Sequence, residues 1–243
     1  MNLKSILLIV FIIVLLYILV VYISKDKNTL SGMTDGKTMV TITADSLDVS
    51  GTTSSTSNFT YSIWFFIDDW NYKYGEPKII YGRMTNDGQT LNPCPLVALG
   101  PLENNIDISL QIYPGADTVT DISGNSVVHT CNVTNIPLQK WVNLLISTYG
   151  RSLDVYIDGK LTRTCVLPGV AKVDTSANVY ITPRGGFSGW TTLFQYWPNS
   201  TDPQQAWNIY KKGYGGSIFG NLGKYSVKVS LMEGETEDAS FEI

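Results

Sequence analysis

Two kinds of patterning divide the chain, and the first is confined to its start. Ile6 to Ile23 (ILLIVFIIVLLYILVVYI) is an apolar run without a charge, flanked by Lys4 before it and Lys25 and Lys27 after it. About 18 residues at 1.5 Å rise come close to the ~30 Å hydrocarbon thickness of a bilayer. A secretory signal peptide has a shorter apolar core, roughly 7–15 residues, and a small-residue cleavage site. Here the run ends in Val21, Tyr22, Ile23 and Ser24. Residues 1–24 are therefore expected to form an uncleaved, single-pass transmembrane anchor. Lys25 to Met39 is polar, Gly-containing and aperiodic, and reads as a linker, residues 25–39.

From Val40 onward the period changes to two. Short runs rich in Thr, Val, Ile, Tyr and Trp alternate with Gly, Pro, Asn and Asp clusters, which points to an all-β sandwich or barrel. Phe59 to Ile67 (FTYSIWFFI) is apolar on both faces, as a central sandwich strand can be. Ile106 to Tyr113 sets Ile106, Ile108, Leu110 and Ile112 on one side against Asp107, Ser109 and Gln111 on the other. Trp141 to Tyr149 is a further apolar strand, and Tyr225 to Leu231 a last alternating one before an acidic end. In LDVYIDGKLTRTC two alternating runs flank Asp158-Gly159, the pair that a type I′ hairpin turn favours because both positions need positive φ. Helical spacing is confined to Ser200–Lys212, with Thr201 or Asp202 as N-cap, Pro203 in the first turn and Gly213 as the stop.

Charge adds an exclusion. With 17 Lys and Arg against 21 Asp and Glu, the net charge of -4 leaves no basic footprint for nucleic acid. Lysines stand on both sides of the apolar run, so they do not orient the anchor. Cys94, Cys131 and Cys165 allow three single pairings, each leaving one thiol, and spacing does not choose among them. Cys94, between two prolines, would suit a staple to either partner.

The strand landmarks fall in a particular order. YSIWFFI precedes KWVNLLIST, and the hairpin LDVYIDGKL follows. Then come Phe187-Ser188-Gly189, Phe194-Gln195-Tyr196 and a helix closing on Ile209-Tyr210-Lys211-Lys212-Gly213. Over roughly Thr60 to Gly213 this resembles a concanavalin A-like, laminin G-type jellyroll. It is most similar to the version in membrane-anchored and capsid-associated proteins of large DNA viruses. The resemblance implies an antiparallel two-sheet jellyroll sandwich over residues 40–213, with one short C-terminal helix. A Gly-rich C-terminal arm with one strand and an acidic end would occupy residues 214–243. Trp64, Trp141 and Phe194 are expected to fill the space between the sheets. In function the resemblance implies a virion structural protein, at an internal membrane or the capsid–membrane interface. Its partners would be the lipid bilayer and other capsid or membrane proteins.

Catalytic constellations are hard to assemble from these residues. The E-x-D-x-E series of the family's glucanase branch is absent, Asp158 is taken by a turn, and Asp68 and Asp69 point to opposite faces of an extended chain. His129 is the single histidine, too few for a histidine-based metal site or a triad of wider support. The Gly-rich run before Lys224 lacks the Gly and Ser/Thr positions of a phosphate loop. The expectation is a non-enzyme without cofactor. Loop carboxylates Asp68, Asp69, Glu76, Asp87 and Asp121 are the only candidates for calcium, and they form no ordered ligand series. Sugar binding has better raw material. DWNYKY and WTTLFQYWPN supply aromatics beside amides, with Trp70, Tyr72, Trp190 and Trp197 as candidate ligand-binding residues. A membrane-tethered lectin-like protein is thus the alternative to a structural protein.

Overall fold

A computed structural model describes residues 11–12, 14–18, 27–47, 57–85, 93–113 and 127–215, and the backbone alone of 228–233 and 236–242. The chain falls into two compact units, Lys27–Lys211 and a second made of Met1–Asp26 with Lys212–Ile243. In the second unit, residues 11–12 and 14–18 are helical and exposed. Among the described residues no helix is long and apolar enough to cross a membrane. Most of the span expected from Ile6 to Ile23 lies outside them.

The larger unit is built from β1 (Thr29–Ser31), β2 (Thr34–Asp35), β3 (Val40–Ile42), β4 (Thr60–Asp69), β5 (Lys78–Met84), β6 (Leu96–Leu99) and β7 (Ile106–Ile112). It continues through β8 (Val127–Val133), β9 (Trp141–Tyr149), β10 (Ser152–Ile157), β11 (Lys160–Val166), β12 (Asn178–Ile181), β13 (Ser188–Trp197) and one helix, α1 (Pro203–Lys211). Two antiparallel sheets result. One runs β1-β13-β4-β9-β10-β11, with β2 also paired to β13, and the other β3-β12-β5-β6-β7-β8. The all-β, two-sheet expectation with one C-terminal helix therefore describes this unit.

Alternation decides which side chains fill the sandwich. Tyr61, Ile63, Phe65 and Ile67 of β4 and Val142, Leu144 and Ile146 of β9 are buried against Val97, Leu99, Ile106, Ile108 and Leu110 of the facing sheet. Each such burial stabilises by roughly 1.5–3 kcal/mol. Phe194 joins them, stacking 5.8 Å from Tyr61 and 5.1 Å from Tyr81. Trp64 and Trp141 do not, which corrects the expectation for them. With Tyr61, Ile63 and Phe65 turned inward, the period of two turns Trp64 and Phe66 outward. Trp64 is buried all the same, because the Tyr210 ring of α1 stacks on it at 5.6 Å. Leu145, Tyr156 and Ala206 complete this smaller core beneath the helix.

Two further boundaries differ from expectation. Segment 25–39 is no free linker, since β1 and β2 pair with β13 and Leu30 packs against the core. Pairs of strands this short leave too little alternation to read. In the second unit β14 (Lys228–Glu233) pairs antiparallel with β15 (Thr236–Glu242), so the described residues of 214–243 hold two strands where one was expected. Within the acidic end, Asp238, Ser240 and Glu242 alternate with Ala239 and Phe241, a pattern that suits a second strand.

The hairpin at Asp158-Gly159 forms as expected, with φ of 51° and 72° at the two positions. A Cβ on Gly159 would stand 2.8 Å from Tyr210 Cβ and 3.0 Å from Trp207 Cε3. The glycine thus serves both the turn and the close seat of α1. Asp202 caps the helix, its Oδ1 accepting from the Gln205 N–H at 2.8 Å.

Candidate functional site

The four aromatic residues singled out above do not form one site. Trp190 pairs with Phe66 on β4, and Phe66 pairs with Trp141 on β9, so the three make a row across the outer face of the first sheet. Met33 joins the row to line a groove of about 340 Å³. Trp197 lies seven residues further along β13, opposite Thr60 and so six residues of β4 from Phe66, roughly 20 Å from Trp190 at strand rise. Trp70 and Tyr72 share the turn after β4, where Asp69 Oδ1 accepts from the Asn71 N–H at 2.9 Å. They then diverge. The Tyr72 hydroxyl donates to Gly185 O at 3.0 Å and its ring lies under Lys37 Nζ, which commits it to the fold. Trp70 turns the other way, its Nε1–H reaching Leu102 O at 3.4 Å and its ring covering Lys78 Nζ at 4.2 Å.

Around Trp70 two loops meet. Leu102–Asn105 connects β6 to β7, and Thr134–Leu138 connects β8 to β9. Asn104 fastens them, its Nδ2 donating to Ile136 O at 2.9 Å while the Ile136 N–H donates to Asn104 O at 2.8 Å. Asn105 closes its own loop by donating Nδ2 to Glu103 Oε2 at 2.8 Å, and its carbonyl accepts from the Gly100 N–H at the same distance. Trp70, Glu103, Asn104, Asn105, Thr134 and Asn135 line an open cleft of about 630 Å³. Lys78 is only 1% exposed and, among the described residues, its Nζ has no hydrogen-bond partner. Burial pulls its pKa below the ordinary lysine value.

On the far side of Thr134 and Asn135 lies a second cleft, of about 390 Å³, walled by Trp207 and Tyr210 of α1 and by Asp158, Lys160 and Thr162 of the hairpin. Asp158 holds its wall in place, accepting from the Asn143 N–H at 2.9 Å through Oδ1 and from Lys140 Nζ at 3.0 Å through Oδ2. The disulfide Cys131–Cys165 ties β8 at the edge of one sheet to β11 at the edge of the other. Arg163 adds a second tie, donating Nη1 to Asn132 O at 2.8 Å. Both ties stand next to the Thr134–Asn135 crest. Cys94 takes no part in pairing. It is buried, and burial pushes its thiol pKa up to about 12.

Two clefts therefore flank one crest, with aromatic faces on either side and exposed polar side chains between them. Thr134 and Asn135 are exposed, and among the described residues neither side chain has a hydrogen-bond partner. Indole and phenol faces stack on the C–H faces of sugar rings, while hydroxyl and amide groups exchange hydrogen bonds with sugar hydroxyls. Sequence reading found Trp70 and missed Trp207 and Tyr210, which it placed only within the helical segment Ser200–Lys212. It also missed Asn104, Asn105 and Asn135.

Two carboxylates of the β10–β11 hairpin are engaged within the fold. Asp154 accepts from Thr164 Oγ1 at 2.6 Å, and Asp158 is engaged as above. Among the described residues no three His, Cys, Asp or Glu side chains cluster as metal ligands would. Asp87 and Asp121 of the calcium candidates lie outside the described residues.

No protein-family model and no curated protein matches the chain. Solved structures do. The botulinum neurotoxin serotype D ligand binding domain in complex with N-acetylneuraminic acid aligns with a TM-score of 0.52 at 12% identity, covering 75% of this chain and 46% of that one. The receptor binding domain of botulinum neurotoxin D gives 0.49 at 13% identity, covering 67% and 39%. That of the C/D mosaic serotype gives 0.46 at 14%, covering 64% and 36%. The chain spans less than half the length of these structures, and at such identity the first of them shows a shared β-sandwich fold.

Proposed function

We propose that this chain is a membrane-tethered, non-catalytic carbohydrate-binding protein that takes sugar at the paired clefts beside Thr134 and Asn135. One observation carries the reading. Trp70 lines one cleft and Trp207 with Tyr210 the other, within a frame already fixed by the Asn104–Ile136 bonds and the Cys131–Cys165 disulfide. Concave aromatic surfaces with a few polar groups held in advance are what small-ligand sites use. The β-sandwich shared with the neurotoxin serotype D ligand binding domain lends support from fold alone. Ile6–Ile23 would serve as the tether, holding the sandwich at a bilayer surface.

A glycan array tests this. Reproducible binding by wild type, lost in Trp207→Ala with unchanged thermal stability, is the expected result. An array without a reproducible hit, on folded protein, ends the proposal.

A second reading rests on a separate observation. The row Met33, Phe66, Trp141 and Trp190 leaves apolar side chains in solvent, as surfaces that dock proteins do. Under it the chain is a single-pass structural protein of a large DNA virus particle, joining membrane to shell. Cross-linking in native membranes or particles would then capture a neighbouring protein through this row. Loss of that product in Trp190→Ser is expected, and its persistence would count against the row as the contact.

A further inference from the structure

We infer that the ligand is a linear, uncharged oligosaccharide that crosses the Thr134–Asn135 crest and occupies both clefts at once, not a single terminal sugar held in one. The inference rests on the carbohydrate reading above and narrows it to a substrate class.

Continuity is the first argument. Thr134 and Asn135 line both clefts, so the two hollows share a wall and their aromatic floors lie to either side of it. A single ring would fill one hollow and leave the other aromatic group unused. The wall itself is exposed and polar, offering a hydroxyl and an amide to a ligand that bridges the hollows.

Rigidity is the second. Asn135 holds a left-handed φ of 61°, with Ile136 pinned next to it by both bonds to Asn104 and the Gln139 N–H bound to Ile67 O at 3.0 Å. The crest is therefore set before any ligand arrives, and a ligand spanning it would not have to order it. Preorganisation of that kind lowers the cost of binding.

Charge is the third. The ionisable side chains of the two clefts are Glu103, Asp158 and Lys160, and Asp158 is already paired with Lys140. That leaves one carboxylate in the first cleft and one ammonium in the second. In the first cleft an acidic sugar unit would meet Glu103 with no cation lining that cleft to offset it, and a neutral polyhydroxyl unit would not. Lys78 does not alter the balance, since its ammonium is enclosed behind Trp70 and does not line the cleft.

Calorimetry on the full chain in detergent micelles tests the inference. The probes are glucose, mannose and N-acetylglucosamine, their linear β1,4-linked dimers and tetramers, and the galacturonic acid tetramer. We expect at least one neutral tetramer to bind about 100-fold or more tightly than its monosaccharide, because joined subsites act at high effective concentration. The galacturonate tetramer should bind at least about 10-fold more weakly than that neutral tetramer, the like charge at Glu103 setting the sign. Trp207→Ala and Asn135→Gly should each return the neutral tetramer to within a few-fold of the dimer. Asn135→Gly keeps a backbone that a positive φ suits, so it stands in where the tryptophan variant fails to fold. A monosaccharide binding as tightly as its tetramer, or a tetramer indifferent to both substitutions, would overturn the two-cleft inference and leave the carbohydrate reading standing. Equal binding of the galacturonate chain would overturn the uncharged class. A folded protein that binds no neutral sugar of the panel would bring down both.

Discussion

Half of the outer face of the first sheet is covered and half is bare, although the same strands build both halves. Trp64 and Phe66 stand two residues apart on β4 and point the same way. Over Trp64 lies Tyr210 of α1, and Trp64 is 5% exposed. Beside Phe66 stands Trp190, 47% exposed, with the partly buried Trp141 on the other side. Nothing in residue type separates these tryptophans. A nine-residue helix arriving from the far end of the unit does. An outward aromatic side chain on a sandwich becomes core or contact surface according to what is laid over it. The covered half supports the clefts, and the bare half is the strongest case for protein contact.

The contrast is broken most directly by truncating its two tryptophans. Trp64→Ala should cost about 3–5 kcal/mol in urea denaturation, as large-to-small changes in a packed interior do. Trp190→Ala should change stability by no more than about 0.5 kcal/mol, the usual range for an exposed site. Similar costs at both positions would mean that the bare half is packed after all.

Next in size is the staple that frames the clefts. Removing the disulfide with Cys131→Ser and Cys165→Ser together frees a loop spanning a sequence separation of 34. Chain entropy alone makes that worth about 3–4 kcal/mol. Sugar affinity should fall with it, because the crest sits beside the staple. The surface at Trp190 should be indifferent to its loss, and an unchanged yield of the cross-link that depends on Trp190 would show that. Stability within about 1 kcal/mol of wild type would show instead that Arg163 and the flanking strands hold the edge unaided.

A smaller effect separates two glycines that share left-handed backbone. At Gly159 an added methyl meets the helix, so Gly159→Ala should cost about 2–4 kcal/mol from strain and crowding together. At Gly150, φ is 56° and nothing lies within 4 Å, so Gly150→Ala should cost about 1–2 kcal/mol from backbone strain alone. The difference measures how closely α1 is seated. Equal costs would mean that the helix yields, and Trp64 would then be less securely covered than its burial suggests.

Local chemistry explains what the sequence revealed of this. β7, β9 and the Asp158-Gly159 hairpin were legible because each is written in contiguous alternation or in a turn pair. β13 was harder, since Leu193 takes a left-handed φ of 48° and the register shifts between Thr192 and Gln195, which interrupts the alternation. Trp64 and Trp141 were misassigned to the inter-sheet space because both faces of their strands are apolar, and period alone does not rank two apolar faces. Trp70 was legible as a loop aromatic beside an amide. Asn104 and Asn135 were not, because their significance lies in two loops some thirty positions apart meeting through Asn104 and Ile136, and no local pattern records that meeting. The disulfide was hidden for the same reason, since its pairing follows from which sheet edges lie together.

The least conspicuous contrast is between the cysteines, and pH resolves it. Cys131 and Cys165 hold the sandwich edge, whereas Cys94 sits buried beside Pro95 with its thiol pKa pushed up to about 12. Burial, which disfavours the thiolate, is the main cause, and the nearby Arg83 guanidinium offsets only part of it. An unfolded cysteine titrates near 8.5. Below about pH 8 both states keep the proton and Cys94 contributes its full share to stability. As pH rises from about 8.5 toward 12, the unfolded chain loses the proton while the folded chain retains it, so unfolding becomes progressively easier. Buried Tyr61 and Tyr81, whose hydroxyl pKa values are also raised by burial, add the same sign at higher pH. Lys78, lowered by burial, opposes them. Subtracting Cys94→Ala from wild type isolates the thiol. Denaturation midpoints taken at pH 7, 9 and 10 should show a wild-type decline that is shallower in the variant. Parallel declines would mean that Cys94 ionises in the folded chain much as it does in the unfolded one, and that the interior around it is wetter than the edge it never joined.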